Sequence, residues 1–472
     1  MLLDIEEVEG KLIISYYNKE GKVDFKYYDT EHIYNWQTCE PSDKRKDKTL
    51  INWDGRPIKK FKGKSINKHS LVSFLDSLSD EDSEEIFGYN FPKTYIFDIE
   101  VEMTENAKDS LDSTAAKNQI LTISLLTPDG KVVVMGTRDL DKKSEGSIAT
   151  KVNEYFSKFN SNFEFSYKKF NTEYDMIYTF MQTVSKLPML SGWYCIGYDW
   201  TYLVARCKRL GIDPTISSPT GKLNRDGTPM HVGMIDYAEL YMNWDRSVGI
   251  KENGKLGTAS KQVLGLNKIT YDTNLQDLYN NDYERYVYYN AVDSILVYYI
   301  DQKLKTMQIV LTLSNICKIS LYKASSPVAI TESFISRALK LEGKMMATTW
   351  SDNNNKKSGK YVGAYVKTPI TGKHRGVACF DYASLYPSIM RQFNISPDVF
   401  IEKISQTSIP ERRKLLLGKS IVTSNGCVYN AEEPSILNKV LTDLYAKRKE
   451  YKKKSFEYKM LVAACEEKLS KK

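Results

Sequence analysis

Four carboxylates and one tyrosine occur in this sequence with types and spacing that could hold metal ions. The first two are Asp98 and Glu100, which follow the apolar residues 95–97. Because side chains alternate along a strand, residues two apart share a face, so these carboxylates are expected to lie together. Adjacent carboxylates repel and raise each other's pKa unless a cation lies between them. Taken alone, such a pair is more often a solvated strand end.

Asp199 and the pair Tyr289 and Asp293 complete the set. Asp199 lies among glycines and aromatic residues just before the helical stretch 203–211, and taken alone it is typical of a helix N-cap. Tyr289 and Asp293 are four apart, so they share one face of a predicted helix. A core tyrosine beside an exposed aspartate is the simpler interpretation. Asp293 has apolar neighbours, however, and a carboxylate in such surroundings needs a partner or a metal.

Taken together, these side chains could perform phosphodiester hydrolysis. Four carboxylates can hold two divalent cations about 3.5–4 Å apart, one to activate a water and one to stabilise the leaving oxygen of an in-line displacement. The Tyr289 hydroxyl could orient the attacking water.

A fourth group lies in the string Asp381-Tyr-Ala-Ser-Leu-Tyr-Pro-Ser. The apolar run at 376–382 predicts a buried strand that ends near Asp381, and Pro387 predicts a helix start. Free backbone amides at a turn from strand to helix can bind phosphate groups. The sequence therefore predicts a second, phosphate-binding site.

The composition is typical of a folded globular protein and argues against a membrane-spanning or secreted one. The 472 residues predict about three domains, and 42% apolar with 27% charged residues is typical of folded globular chains. No stretch reaches 18 apolar residues without a charge, so a membrane span is excluded, and the acidic N-terminus does not resemble a secretory signal. The net charge is +8, most of it in residues 435–472, which hold 11 basic and 5 acidic residues.

Cysteine and histidine usage indicates what kind of metal to expect. The seven cysteines are odd in number and show no C-x-x-C spacing, which fits a reducing cytoplasm and argues against disulfides and a thiolate zinc site. The four histidines are not paired at ligand spacing. Any metal must therefore be held by oxygen ligands, which favours Mg²⁺ or Mn²⁺.

Periodicity predicts a mixed α/β fold. A β-hairpin is expected over residues 11–29, and buried strands near 95–97, 120–127 and 131–137. Helices are predicted near 174–187, from 283 to 313 as one long element, and from about residue 434 onward.

The three acidic motifs resemble those of the exonuclease domain of family B DNA polymerases. The resemblance implies an RNase H-like domain with 3′–5′ proofreading activity, in which Asp98, Glu100, Asp199 and Asp293 bind two Mg²⁺ (or Mn²⁺) ions and Tyr289 positions water. The family usually has asparagine after the Gly-Trp of the second motif. Tyr194 stands there in this chain, so contact with a frayed primer end is expected to differ.

The string at residues 381–388 resembles the A motif of the same family. The resemblance implies that Asp381 binds the catalytic metals of polymerisation, that the backbone at Ser384 and Leu385 holds the triphosphate, and that Tyr386 lies under the incoming sugar. Arg448 and Lys452, four apart in the last helix, correspond to a basic pair that contacts the nucleotide. The string at 391–397 extends the likeness to replicative polymerases of T-even-type bacteriophages.

Two motifs of the family do not occur in this sequence. Neither a K-x-x-x-N-S-x-Y-G string (B motif) nor a D-T-D string (C motif) is found. Because two-metal nucleotidyl transfer needs carboxylates from both A and C motifs, polymerisation is expected only with a C-terminal half, from a naturally split or a truncated protein. The alternatives are a free-standing exonuclease and a non-catalytic DNA-binding assembly subunit.

The resemblance also implies a domain plan and partners. We expect a β-rich N-terminal domain (1–94, rejoined by 307–356), an exonuclease domain (95–306), a partial palm (357–433) and the first fingers helix (434–472). The expected partners are primer–template DNA, deoxynucleoside triphosphates, the C-terminal half and a sliding clamp bound through that half, with no membrane. The expected location is the cytoplasm of a phage-infected bacterium.

Overall fold

The computed structural model describes residues 1–88, 90–103, 112–160, 162–269, 274–348, 363, 365–405 and 419–470. Its strands are β1 (Leu2–Val8), β2 (Lys11–Tyr17), β3 (Val23–Asp29), β4 (Asn35–Thr38), β5 (Ile51–Asn52), β6 (Ile58–Phe61), β7 (Thr94–Val101), β8 (Ile120–Leu126), β9 (Lys131–Gly136), β10 (Glu164–Lys169), β11 (Met189–Gly192), β12 (Gly233–Asp236), β13 (Lys344–Met345), β14 (Phe400–Lys403), β15 (Ser420–Val422) and β16 (Cys427–Asn430). Its helices of seven residues or more are α1 (Lys68–Leu75), α2 (Asp80–Phe87), α3 (Lys142–Tyr155), α4 (Glu173–Val184), α5 (Thr201–Leu210), α6 (Leu256–Leu264), α7 (Leu275–Asn281), α8 (Tyr283–Leu304), α9 (Thr306–Cys317), α10 (Pro327–Leu341), α11 (Leu385–Gln392) and α12 (Ile436–Ser470).

The chain divides into two compact units, and the first contains a six-stranded sheet. This unit comprises residues 1–32 and 75–333, and its sheet has the order β10-β9-β8-β7-β11-β12. Strands β7, β8 and β9 are antiparallel, whereas β10, β11 and β12 each run parallel to a neighbour. Every residue of β8 is buried. The mixed α/β fold class predicted from the sequence is therefore confirmed.

Two apolar cores cover the two faces of this sheet. Ile96 of β7 belongs to the core that contains α3 and α8, whereas Phe97 belongs to the core that contains α4 and α5. Because strand side chains alternate, Asp98 and Glu100 lie on the face of Ile96 and point toward α8. The alternation of β7 therefore aims both carboxylates at one helix.

The long helix predicted over residues 283–313 is two helices. It divides at Lys305, which has φ +57°, between α8 and α9. An L-residue in the left-handed region cannot continue a right-handed helix. The Asp301 carboxylate accepts the amide of Met307 at 3.1 Å and satisfies one of the free donors of α9. The break is thus set by local backbone geometry that apolar periodicity does not reveal.

The N-terminal hairpin is present as expected, and the first unit includes it. Strands β2 and β3 pair antiparallel from Lys11↔Asp29 to Tyr17↔Val23, and β1 completes a three-stranded sheet. The strands expected near 95–97, 120–127 and 131–137 are β7, β8 and β9, and β7 extends to Val101.

The second unit comprises residues 33–74 and 334–472. Its sheets are small: β4 pairs with β6, β5 with β13, and β14-β16-β15 form a three-stranded sheet. The buried strand expected over residues 376–382 is wrong, because this stretch is irregular and Phe380 is 93% exposed. A strand needs neighbours for its backbone groups, and the described residues supply none there. The helix expected at Pro387 starts two residues earlier, at Leu385.

The domain boundaries stay predictions. The pairing of β5 with β13 brings residues near 51 and 344 together, while residues 1–32 belong to the first unit and residues 33–74 to the second. Among the described residues, no helix combines the length and apolarity that a membrane crossing needs.

A buried ion pair holds the helix that follows Asp199. Arg206 of α5 contacts both carboxylate oxygens of Glu173 at 2.8 Å, and both side chains are 10% exposed. We predict that Arg206→Ala lowers the free energy of unfolding by about 3–5 kcal/mol, because Glu173 is left buried and unpaired. Urea denaturation would measure this loss of unfolding free energy. The double variant Arg206→Met with Glu173→Leu should lose clearly less stability, and an equal loss in both proteins would contradict this explanation.

Candidate metal-binding cleft

Three of the predicted carboxylates converge on one point. Asp98 and Glu100 project from β7 and Asp293 from α8, and one oxygen of each lies within 4.8 Å of the others. Asp293 is 4% exposed, and the other two are half-buried. Asp293 and Tyr289 share a face of α8, one turn apart, as the sequence predicts. The structure therefore brings residues nearly 200 positions apart in sequence into one acidic group.

Asp98 is held by a residue that sequence reasoning missed. The side-chain amide of Asn290, which is fully buried on α8, donates a hydrogen bond to Asp98 Oδ2 at 2.7 Å. Asn290 directly follows Tyr289 in the sequence. A polar amide inside an apolar helix is the feature by which the sequence could have indicated it. This bond fixes the orientation of Asp98 before any ligand arrives.

Asp199 lies beside this group rather than at a helix N-cap. It sits in a turn of π-helical geometry, Ile196–Trp200, and its Oδ1 accepts the backbone amide of Ile99 at 3.3 Å. The cap position of α5 is Trp200, which makes no side-chain cap. The N-cap interpretation of Asp199 is thus wrong. The amide bond places Asp199 against the strand that carries Asp98 and Glu100.

A lysine that no sequence motif indicated completes the site. Lys268 Nζ lies 2.7 Å from Asp293 Oδ2 and 4.6 Å from the ring centroid of Tyr289. Burial works against the ammonium, but the charges of Asp293, Glu100 and Asp98 outweigh it and hold the pKa of Lys268 above its usual range. Lys268 follows Gly-Leu-Asn in a loop, and no periodic pattern connects it with the acidic motifs.

The carboxylates suppress one another's ionisation. Burial and then the charge of Asp293 raise the pKa of Asp98 to about 8, while Lys268 and Asn290 act in the opposite direction. Burial, followed by Asp98 and Asp293, raises the pKa of Glu100 well above its usual range. Burial likewise raises the pKa of Asp199 and of Asp293. These carboxyl groups can all be ionised together only when cations lie between them.

The acidic group opens into a cleft of about 650 Å³. Besides the carboxylates, its lining includes Trp193, Tyr194, Tyr198, Lys268 and Tyr289. Tyr194 is 61% exposed and has φ +58°. Large aromatic side chains at the mouth of an acidic cleft can stack on planar ligands such as nucleobases.

The A-motif residues lie in the second unit, at the start of α11. Asp381 is exposed in the irregular stretch before the helix, and Ser384, with φ +53°, is the cap residue. Leu385 and Tyr386 begin α11 with exposed side chains. The structure does not bring Asp381 into an acidic group within the residues it describes.

Arg448 and Lys452 are exposed on α12, one turn apart. Helix α12 begins at Ile436, two residues after the proline from which the sequence predicts it.

Comparison with known proteins identifies the family. A family model described as "DNA polymerase family B, exonuclease domain" matches residues 60–242, and one described as "DNA polymerase family B" matches residues 273–460. The chain belongs to the family B DNA polymerases. The resemblance stated from the motifs is thereby confirmed.

Curated relatives of this family B polymerase chain include phage and archaeal enzymes. It is 27% identical over 305 residues to a DNA-directed DNA polymerase of Escherichia phage RB69, covering 61% of this chain and 33% of that protein. It is 27% identical over 316 residues to that of Enterobacteria phage T4, covering 62% and 34%. It is 25% identical over 340 residues to DNA polymerase 1 of Saccharolobus solfataricus, covering 66% and 36%. The chain thus spans about a third of the length of the curated relatives that it matches.

The raised pKa of Asp98 predicts how pH affects stability in this family B polymerase chain. The Asp98 carboxyl has a pKa of about 8 in the folded chain and about 4 in the unfolded chain, so the folded state binds its proton more tightly. Its contribution to the free energy of unfolding is therefore fully present at low pH and is lost as pH rises through about 8. We expect a divalent cation bound at this carboxyl to take the place of the proton. We therefore predict that the rise in melting temperature on adding saturating Mg²⁺ is larger at pH 8 than at pH 6.

Thermal unfolding in the presence of EDTA or Mg²⁺ measures this effect. In Asp98→Asn the metal-dependent rise should be much smaller and should no longer increase with pH. An equal rise at both pH values in the unaltered chain would contradict the prediction.

Proposed function

We propose that this chain carries the 3′–5′ proofreading exonuclease of a replicative family B DNA polymerase. It would remove nucleotides from the 3′ end of a DNA primer, using two divalent cations. The observation that carries the proposal is the convergence of oxygen atoms from Asp98, Glu100 and Asp293 within 4.8 Å, beside Asp199, in an open cleft. The exonuclease family model, which matches residues 60–242, supports the same assignment.

The sheet of the first unit supports an RNase H-like architecture for the exonuclease. Three antiparallel strands, β7 to β9, are extended on the β7 side by the parallel strands β11 and β12, and helices pack on both faces. The central strand β7 supplies two carboxylates, the loop after β11 supplies Asp199, and α8 supplies Asp293.

The donor set fits Mg²⁺ or Mn²⁺. All four candidate ligands are carboxylates, which are hard oxygen donors suited to these ions. Asp293 Oδ1 is buried without a hydrogen-bond partner among the described residues, as expected for an oxygen reserved for a cation. When bound, two such cations would supply an activated water and neutralise charge on the leaving oxygen.

The remaining side chains would prepare the cleft for the reaction. Tyr289 would orient the attacking water with its hydroxyl, while its ring lies beside the Lys268 ammonium. Lys268, whose ammonium pairs with Asp293 in the metal-free cleft, would add positive charge where the phosphodiester binds. Asn290 would keep Asp98 in the orientation that its hydrogen bond imposes. These roles leave the water, the scissile phosphate and the carboxylates in fixed relative positions.

A basic and aromatic surface in the second unit supports a nucleic-acid partner. Residues 44–64 contain nine basic and two acidic residues. Lys60 Nζ lies 5.1 Å from the ring centroid of Trp36, and Lys62 Nζ lies 4.3 Å from that of Tyr34. These lysines and the ring of Tyr34, which is 38% exposed, suit a nucleic-acid strand, since phosphates meet the ammonium groups and a base can stack on Tyr34. Trp36 is 8% exposed and packs in a small core, so it supports this surface from beneath.

We further propose that Asp381, Ser384, Leu385, Tyr386, Arg448 and Lys452 contribute to polymerisation. In this proposal Asp381 binds catalytic metal, and the others contact the incoming deoxynucleoside triphosphate. Polymerisation would need a further protein segment with the B and C motifs, and a sliding clamp would act through that segment in the cytoplasm of an infected bacterium. Co-expression with the downstream reading frame tests the split: a complex that extends primers is expected, and failure to form one argues against it.

A 5′-labelled primer–template with Mg²⁺, incubated with and without nucleotides, tests the proposed function. Shortening of the primer under both conditions is the expected result, since it requires the exonuclease alone. A free-standing exonuclease would give the same result, but the match of residues 273–460 to the polymerase family model favours the larger enzyme. No change under either condition would contradict the proposal and favour a non-catalytic DNA-binding subunit.

A further inference from the structure

The carboxylate of Asp236, at the end of β12, accepts hydrogen bonds from four backbone amides. Oδ1 accepts from Ala238 at 3.0 Å and from Glu239 at 3.4 Å, the usual pattern of an N-cap, here of the short helix Tyr237–Glu239. Oδ1 also accepts from Tyr194 at 3.0 Å, and Oδ2 accepts from Ile196 at 3.1 Å. A cap requires the first two bonds, but the other two join β12 to a different loop. That loop carries Asp199.

The loop that Asp236 holds has an unusual backbone. Tyr194 adopts φ +58°, a conformation that L-residues seldom take. Gly192, just before the loop, packs so closely that a Cβ atom there would lie 2.5 Å from the carbonyl oxygen of Phe97. Such a conformation persists when surrounding contacts enforce it. The two bonds from Asp236 are contacts of that kind.

The two oxygens of Asp236 act on different parts of the cleft. Oδ1 holds the amide of Tyr194, whose exposed ring stands at the mouth of the cleft. Oδ2 holds the amide of Ile196, the first residue of the turn that contains Asp199. The carbonyl of Ile196 in turn accepts the Thr201 hydroxyl at 2.8 Å, which links the turn to α5. One carboxylate thus fixes a substrate-facing side chain and a metal-facing one.

We propose that Asp236 is a positioning residue of the exonuclease, which sets Tyr194 against the DNA end and Asp199 beside Asp98 and Glu100. This inference rests on the proposed function. Asp236 is 7% exposed and touches neither the metal-binding oxygens nor the open cleft. Its hydrogen bonds therefore act on the cleft through the backbone of residues 194–199.

Two substitutions of Asp236 separate the two anchors. Asp236→Asn keeps Oδ1, and with it the cap and the Tyr194 bond, but places an NH₂ group against the amide of Ile196. Asp236→Ser keeps a cap and loses both anchors. Both variants remove the same negative charge, so a difference between them reports the hydrogen bonds. Asp245→Asn is a control, because Asp245 is 4% exposed, accepts backbone amides of Ser247 and Val248 outside the cleft, and differs from Asp236 in pairing with Lys251 at 3.3 Å.

The experiment measures kcat and KM on a single-stranded 3′ end and calorimetric binding of Mn²⁺ to the full chain. Asp236→Asn should lower kcat and the Mn²⁺ affinity by about 10- to 100-fold and leave KM near its starting value. Asp236→Ser should show the same losses and also raise KM by about tenfold. Asp245→Asn should change none of these quantities. Site-specific Mn²⁺ binding is the part of the measured binding that the double variant Asp98→Ala with Glu100→Ala loses.

Each other outcome has a distinct meaning. If both variants match the unaltered chain, Asp236 is a helix cap and the proposal is wrong. If both lose kcat, KM and Mn²⁺ affinity equally, the missing charge is responsible and the proposal is also wrong. If Asp236→Ser does not fold, Asp236→Asn still decides through kcat and Mn²⁺ affinity. Absence of both cleavage and site-specific Mn²⁺ binding in the unaltered chain would instead overturn the proposed function.

Discussion

Replacing Asp98 and Glu100 together by alanine is expected to lower exonuclease activity by at least about 10³-fold. The two side chains supply two of the three oxygens that lie within 4.8 Å of one another. Their loss leaves Asp293 with Lys268 as its charged partner, and an ammonium 2.7 Å away then satisfies the carboxylate without a metal. The measurement is the rate of shortening of a 5′-labelled primer in Mg²⁺.

The double variant should fold, because it removes two carboxylates whose charges are unfavourable in the metal-free chain, and this gain offsets the loss of the hydrogen bond that Asn290 donates to Asp98. Burial and mutual repulsion raise the pKa of both carboxyls, so the metal-free chain gains nothing from their charges. Its melting temperature in EDTA should equal or exceed that of the unaltered chain. Asp129→Ala with Glu164→Ala is a control, since both residues lie in the first unit outside the cleft. Unchanged nuclease activity in the Asp98, Glu100 variant would mean that the site is assigned wrongly.

The sequence indicates which acidic residues share a face of one element, because the signals for this are local. A period of two places Asp98 and Glu100 on one face of β7, and a spacing of four does the same for Tyr289 and Asp293 on α8. Local spacing does not show that β7 and α8 pack together. The motif resemblance predicted that convergence, and the structure places the three oxygens together. The chemical roles of these residues stay predictions until the nuclease assay is done.

The residues that sequence reasoning missed act on other residues across the fold. Asn290 bonds to a residue 192 positions away, and Lys268 pairs with one 25 positions away. Asp236 bonds to residues 42 and 40 positions away. Each also has an ordinary local explanation, as a buried amide, a loop lysine or a helix cap. A single sequence cannot separate these explanations, since the distinguishing partner is set by packing.

The two secondary-structure errors have similar causes. The division of the predicted helix 283–313 depends on one residue, Lys305, in the left-handed region. The strand expected over 376–382 has the apolar composition of a strand, but a strand exists through its neighbours. Composition predicts the tendency of a segment, and the surrounding chain decides whether that tendency is realised.

Lys268→Gln is expected to lower kcat of the exonuclease by about 10²-fold while the affinity for Mn²⁺ stays equal or rises. The reason is that the ammonium competes with a cation for Asp293 Oδ2, 2.7 Å away, yet adds positive charge where a phosphodiester must bind. Removing it therefore favours the metal and disfavours the negatively charged transition state. Single-turnover cleavage and calorimetric titration with Mn²⁺ measure the two effects separately.

Lys255→Gln provides the matched control, because Lys255 lines the same cleft and makes no ion pair within the described part of the chain. Its kcat should stay within about twofold of the unaltered value, as surface charges contribute little. A Lys268→Gln protein with full activity would show that the lysine merely balances charge in the metal-free cleft. A parallel fall in kcat and Mn²⁺ affinity would show instead that it positions Asp293. The predicted divergence of the two quantities is thus what assigns Lys268 to the reaction itself, since a structural role would move them together.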